Sequence, residues 1–182
     1  MCLIALSVEK SKDWNGKESY FFKIIANRDE YHERKTTVMH WWSNKEILAG
    51  KDEEAGGTWL GTNREGKFGA ITNLKENSAI KYDSSRGALV TDFLESNLSA
   101  KAYLEEIEPV MENYAGFNLI VGDKKGLFYL CNRLEGIYFI SEGVHALGNL
   151  TLNSSTKKVE AIKHDLNDIL HEGFSVEKGF NV

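Results

Sequence analysis

Apolar, β-prone runs of six to eight residues recur along this chain, and most are separated by no more than a turn. Residues 2–9 (CLIALSVE) and 19–26 (SYFFKIIA) flank a polar segment carrying Asn15-Gly16, a hairpin signal. Residues 56–63 (GGTWLGTN) and 68–73 (FGAITN) are joined by Arg64-Glu65-Gly66-Lys67. Residues 117–123, 127–133 and 136–141 follow one another across Lys124-Lys125-Gly126 and Leu134-Glu135, and 145–150 (HALGNL) reads as a further strand. Gaps this short cannot hold the crossover that parallel neighbours need, so the sheets are expected to be antiparallel.

Helical spacing appears in three places. Ser85 is placed to cap a helix with Leu89, Val90, Phe93 and Leu94 on one face. Residues 100–113 carry Tyr103, Leu104 and Ile107 at helical spacing, and Pro109 should kink or end that helix. Ser155 or Thr156 begins a last helix with Val159, Ile162, Leu166 and Ile169 on one face. Residues 27–46 read as irregular and the tail from His171 as weakly structured. The order of strands, helices, strands and helix predicts an α+β fold with helices outside antiparallel sheets.

The length of 182 residues suits one domain, 1–182, with a core that needs no staples. A net charge of −5 gives no electrostatic footprint for nucleic acid. Two cysteines, Cys2 and Cys131, do not make a disulfide framework, which points to a reducing compartment. The opening apolar run is too short to span a membrane and lacks a basic leader, so a cytoplasmic protein without a signal peptide is expected. No Cys/His spacing suggests a metal site.

Cys2 directly follows Met1. Removal of Met1 would leave an α-amine, whose pKa lies near ~8, beside a thiol, so that one residue could supply nucleophile and base. Taken alone, a Met-Cys start reads more simply as a small residue at the head of a strand. The cluster Asn27-Arg28-Asp29-Glu30 could be a solvated turn, yet an Asp there could hold the ammonium and Arg28 could stabilise a thiolate. Asn73 and Asn149 end apolar runs, where asparagine is ordinarily a turn former; in a hydrolase such residues can polarise a carbonyl. Gly56-Gly57-Thr58-Trp59-Leu60-Gly61 lacks the Gly-Lys-Ser/Thr ending of a phosphate loop, and its glycines are expected to let strands approach closely.

Taken in order, MCLIAL, ANRDE (26–30), LAGKDEEAGGTWLG (48–61), GKFGAITN (66–73), SRGALVTDFL (85–94) and GFNLIVGD (116–123) resemble the NRDE family, also called the transport and Golgi organisation protein 2 family. That family resembles the N-terminal-nucleophile (Ntn) hydrolases, nearest the choloylglycine hydrolase and penicillin V acylase group. The resemblance implies a four-layer αββα sandwich of two mainly antiparallel sheets. It also implies Cys2 as nucleophile, Asp29 in contact with it, and Asn73 and Asn149 assisting. Ala26 stands where the acylases carry an Arg, and Arg28 is the candidate replacement. Gly148 replaces the family's usual Ser before Asn149, and the C-terminal part is shorter than is typical.

Two expectations follow. In the first, Cys2 attacks a small-molecule amide or thioester and no cofactor is required. In the second, implied by the family's association with haem trafficking and acyl-CoA or lipid binding, the pocket is a carrier site. It would hold haem or an acyl chain, with His32 or Cys2 as axial ligand and Trp41, Trp42 and Trp59 as walls. Without the resemblance, His32 and His40 read as ordinary loop residues and the tryptophans as core.

Overall fold

The computed structural model describes residues 2–12, 15–43, 45–75, 85–173 and 175. The chain forms two compact units, one from residues 1–30 and 141–182, the other from residues 31–140.

The first unit is built on β1 (Leu3–Lys12), β2 (Glu18–Asn27) and a strand from the far end of the chain, Gly143–Leu147, which becomes β10 below. Their order is β10-β1-β2, antiparallel throughout. The helix Lys157–His171 (α3 below) packs on one face, joining Val159, Ile162 and Leu166 to Ala5 and Ala146. These helix residues recur at spacings of three and four, the pattern of one buried helical stripe. Thr156 is the N-cap, and its side chain accepts from the Val159 N–H at 3.3 Å. Ile4, Leu6 and Val8 point to the opposite face and are also buried, which is why β1 reads as a continuous apolar run rather than an alternating one.

The second unit holds a seven-stranded antiparallel sheet whose spatial order follows the chain: β3 (Thr36–Trp41), β4 (Ile47–Asp52), β5 (Leu60–Asn63), β6 (Phe68–Asn73), β7 (Phe117–Asp123), β8 (Gly126–Cys131) and β9 (Tyr138–Ile140). Between β6 and β7 lie α1 (Arg86–Glu95) and α2 (Ala100–Ile107). Their Leu89, Val90, Phe93, Tyr103 and Leu104 form a core with Ile71, Phe117, Leu119 and Val121. The sheet also carries a buried polar group, in which the Tyr129 hydroxyl donates to Asn118 at 2.6 Å and the Asn118 amide donates to Thr72 at 3.2 Å. β10 and α3 then return the chain to the first unit.

Four expectations change. Residues 27–46, read as irregular, contain β3, an edge strand bulged between Thr37 and His40. It buries little (Val38 is 82% exposed), so it shows no apolar alternation. The run 56–63 is strand only over Leu60–Asn63. Asp52 organises the preceding turn: its carboxylate accepts from the N–H groups of Glu54 and Ala55, each at 3.1 Å, and its carbonyl from Gly56 at 2.8 Å. That turn delivers Gly57 to the start of α1, where a Cβ on Gly57 would stand 2.7 Å from the carbonyl carbon of Gly87. The glycine-rich motif therefore seats a helix as well as a strand, because Gly61 faces both Ala49 of β4 and Leu94 of α1. As Pro109 led one to expect, the α-helix within 100–113 stops at Ile107, and a 3₁₀ helix, Glu108–Asn113, follows with Pro109 in its first turn. Ser85 occupies the N-cap position of α1 without a side-chain capping bond. Most of the tail beyond Gly173, and Met1 with it, lies outside the described residues.

Candidate functional site

In the first unit, register places the candidate residues. The last paired residues of β1 and β2 are Leu3 and Asn27, and β1 meets β10 at Ile4 and Leu147. Cys2 and Arg28 each lie one residue outside these pairs, and Asn149 lies two residues beyond Leu147. One end of a three-stranded sheet thus brings together the three chain segments that carry Cys2, Arg28 and Asn149. Cys2 is a free, half-buried thiol. Arg28 is half-buried, and its guanidinium lies 3.6 Å from the carboxylate of Glu30. Sequence reasoning did not assign Glu30 a role; its spacing of two from Arg28 in a segment leaving a strand was the available signal. Asp29 lies between them and is exposed. Asn149 is half-buried, two residues beyond β10 rather than inside a strand.

Asn73 is the last residue of β6, paired with Phe117 and exposed, and it belongs to the second unit. The other ligand-pocket candidates also lie in that unit and are not gathered as a single wall. Trp41 is 43% exposed on edge strand β3, with the Arg64 guanidinium 4.1 Å over its ring. Trp42 is buried, and its indole N–H donates to the Ala49 carbonyl at 3.1 Å. Together with Lys45, Glu46 and Arg64 these two tryptophans line an open cleft of about 390 Å³. Trp59 packs instead against the helix-facing core, and His32 is exposed in the loop before β3. Among the described residues no His or Cys lines the cleft.

Other residues fall into ordinary places. Cys131 is fully buried in β8. His164 and His171 are exposed on α3. Among the described residues no three His, Cys, Asp or Glu side chains group as a metal site, and no helix is long and apolar enough to cross a membrane.

The chain is similar in fold to the Caenorhabditis elegans N-acylethanolamine-hydrolyzing acid amidase ortholog, with a TM-score of 0.60 over 99% of this chain and 84% of that one, at 12% identity. This likeness gives the fold as that of an Ntn hydrolase. In sequence it is 37% identical over 153 residues to the Transport and Golgi organization 2 homolog of Mus musculus, and 35% identical over 153 residues to the Homo sapiens homolog. Each match takes in 79% of this chain and 55% of the relative, so the chain spans about half the length of the curated relatives it matches. A profile of the family described as Transport and Golgi organisation 2 matches residues 1–180, nearly end to end. The chain therefore belongs to the Transport and Golgi organisation 2 family.

Proposed function

We propose that this protein is a cysteine hydrolase of the Ntn type, acting on a small-molecule amide or thioester with Cys2 as nucleophile once Met1 is removed. The observation that supports it most is the register of β1 with β2 and β10, whose last pairs, Leu3–Asn27 and Ile4–Leu147, end one residue from Cys2 and Arg28 and two from Asn149. The α-amine of Cys2 takes the thiol proton, and the thiolate adds to the substrate carbonyl. Charge develops on the carbonyl oxygen, where the Asn149 side-chain N–H group donates. The C–N or C–S bond then breaks, the ammonium returns its proton to the leaving group, and an acyl thioester remains on Cys2. Water, deprotonated by the same amine, hydrolyses it and restores the thiol. Asp29 holds the ammonium, and Arg28, steadied by Glu30, offsets the thiolate charge. A reducing cytoplasm would keep the Cys2 thiol in its reactive form.

The test pairs intact-mass measurement with a panel of N-acyl amides and acyl thioesters. A mass lacking Met1, turnover lost in Cys2→Ala, and kcat lowered about 10²–10³-fold in Asn149→Ala are expected. Retention of Met1 in active protein rules out the amine as base, and turnover surviving in Cys2→Ala rules out the nucleophile. A second reading, a non-catalytic carrier for haem or an acyl chain, draws on the Trp41–Trp42 cleft. It expects a haem-induced spectral shift that Trp41→Ala diminishes; absence of both the shift and any retained lipid excludes it.

A further inference from the structure

Asn149 lies in the segment joining β10 to α3, and this segment is closed by a relay of hydrogen bonds. Asn153 backs onto the outer edge of β10. Its N–H donates to the Ala146 carbonyl at 2.9 Å, and its Oδ1 accepts from the Ala146 N–H at 3.1 Å. Both polar groups of an edge-strand residue are thus satisfied by one asparagine acting as a substitute strand. To do this Asn153 adopts φ 57°, the one left-handed non-glycine residue among those described. Asparagine tolerates that conformation better than most residues.

The orientation of the Asn153 amide follows. With Oδ1 committed to Ala146, Nδ2 points to Nδ1 of His145 at 3.0 Å. An amide nitrogen only donates, so Nδ1 must be the acceptor and carry no proton. The His145 Nε2 lies 2.9 Å from the Ser141 carbonyl, which only accepts, so Nε2 carries the proton. The imidazole is fixed as one neutral tautomer between two partners. Burial lowers its affinity for a second proton, Lys163 on α3 lowers it further, and the Ser141 contact opposes them. Residues 148–152 form a five-residue loop whose neck is the Ala146–Asn153 pair, and Asn149 sits near its start.

We propose that His145 and Asn153 are positioning residues for Asn149: the relay Ser141–His145–Asn153–Ala146 closes the loop and holds the Asn149 carboxamide where a substrate carbonyl can accept from it. This rests on the reading of Asn149 as a carbonyl-polarising donor. The relay acts as a rigid neck because each member has one compatible hydrogen-bonding state. Protonating Nδ1 would set an N–H against an N–H, and rotating the Asn153 amide to relieve that would set Nδ2 against the Ala146 N–H.

Asn153→Gly is the sharpest variant, since glycine keeps the left-handed backbone and deletes only the amide. Amide hydrogen exchange over residues 149–152 is expected to quicken about tenfold in Asn153→Gly and in His145→Leu, the loss of roughly one net hydrogen bond. His145→Asn, which can present an acceptor near the place of Nδ1, should restore most of the protection. Nitrogen NMR of the wild type should show His145 as the Nε2–H tautomer. With a substrate in hand, both loosened variants should lower kcat about tenfold or more and leave KM within about twofold. Unchanged exchange in both variants, or the other tautomer, overturns the relay whatever the activity. A loosened loop with unchanged kcat overturns the positioning role. A loosened loop in a protein whose wild type turns nothing over removes the hydrolase reading and leaves the relay standing.

Discussion

Replacing Gly57 with alanine tests whether the glycine-rich motif is a seat for α1. A Cβ at that position would lie 2.7 Å from the Gly87 carbonyl carbon, 2.8 Å from its oxygen and 3.1 Å from the Ala88 nitrogen. Ordinary contact begins at 3.4 Å, so the shortfall is 0.7 Å, and all three obstacles are backbone atoms with no rotamer to change. Relief must come from lifting the start of α1. That helix buries Leu89, Val90, Phe93 and Leu94 against the sheet. A gap of ~0.5–1 Å forfeits about a quarter to a half of each dispersion contact. Partial relaxation brings the expected cost to the upper end of overpacking, about 3 kcal/mol. Gly56→Ala is the control: it has open space but a φ of 74°, so it should cost only about 1–2 kcal/mol of backbone strain. Guanidinium unfolding followed by tryptophan fluorescence measures both. A Gly57→Ala cost under about 1 kcal/mol, or one no larger than that of Gly56→Ala, would refute the reasoning.

Ser7 offers the opposite sign. Its hydroxyl is buried in the middle of β1 without a hydrogen-bond partner among the described residues, so Ser7→Ala should stabilise by up to about 1 kcal/mol, read as a higher denaturation midpoint. Asp52 predicts a pH effect: burial raises its carboxyl's affinity for a proton, but the bond from Arg34 at 2.7 Å and those from Ala55 and Glu54 outweigh it and hold the pKa below 3.8. Its contribution is therefore complete above that unfolded value and is lost as pH falls through the lower folded one. Between pH 5 and pH 3 the urea midpoint of Asp52→Asn should fall less than that of the wild type; equal falls would sink the assignment.

The strands legible in the sequence are those with strong burial or tight turns. β7 is bounded to the residue because its mostly apolar run ends at Asp123-Lys124-Lys125-Gly126, and β6 stands out because its mostly apolar run follows the turn Arg64-Glu65-Gly66-Lys67. β3 was hidden because an edge strand with exposed Thr36, Thr37, Val38 and Met39 leaves no periodic trace. In the candidate site, Cys2, Arg28 and Asp29 could be located because they adjoin strand ends in a recognisable order. That Asn149 belongs to a loop closed by Asn153 could not be read, because the closure depends on a left-handed backbone at a residue that elsewhere would be an unremarkable turn asparagine. The Gly57–Gly87 approach was equally invisible, since it joins two motifs separated by a stretch of chain with no pattern linking them.

The pairing of β1 with β10 also bears on how the protein is made. Val8 and Gly143 are partners, so the central strand of the small sheet waits, during synthesis, for a mate more than a hundred residues later. Residues 31–140 contain all seven strands of the larger sheet in sequential order and can form it in the meantime. Until β10 leaves the ribosome, β1 has β2 as its partner within its own sheet and an open edge on the other side. The β1–β10 ladder is thus completed long after β1 itself is made, so the small sheet cannot close until the strands of the larger one have been synthesised.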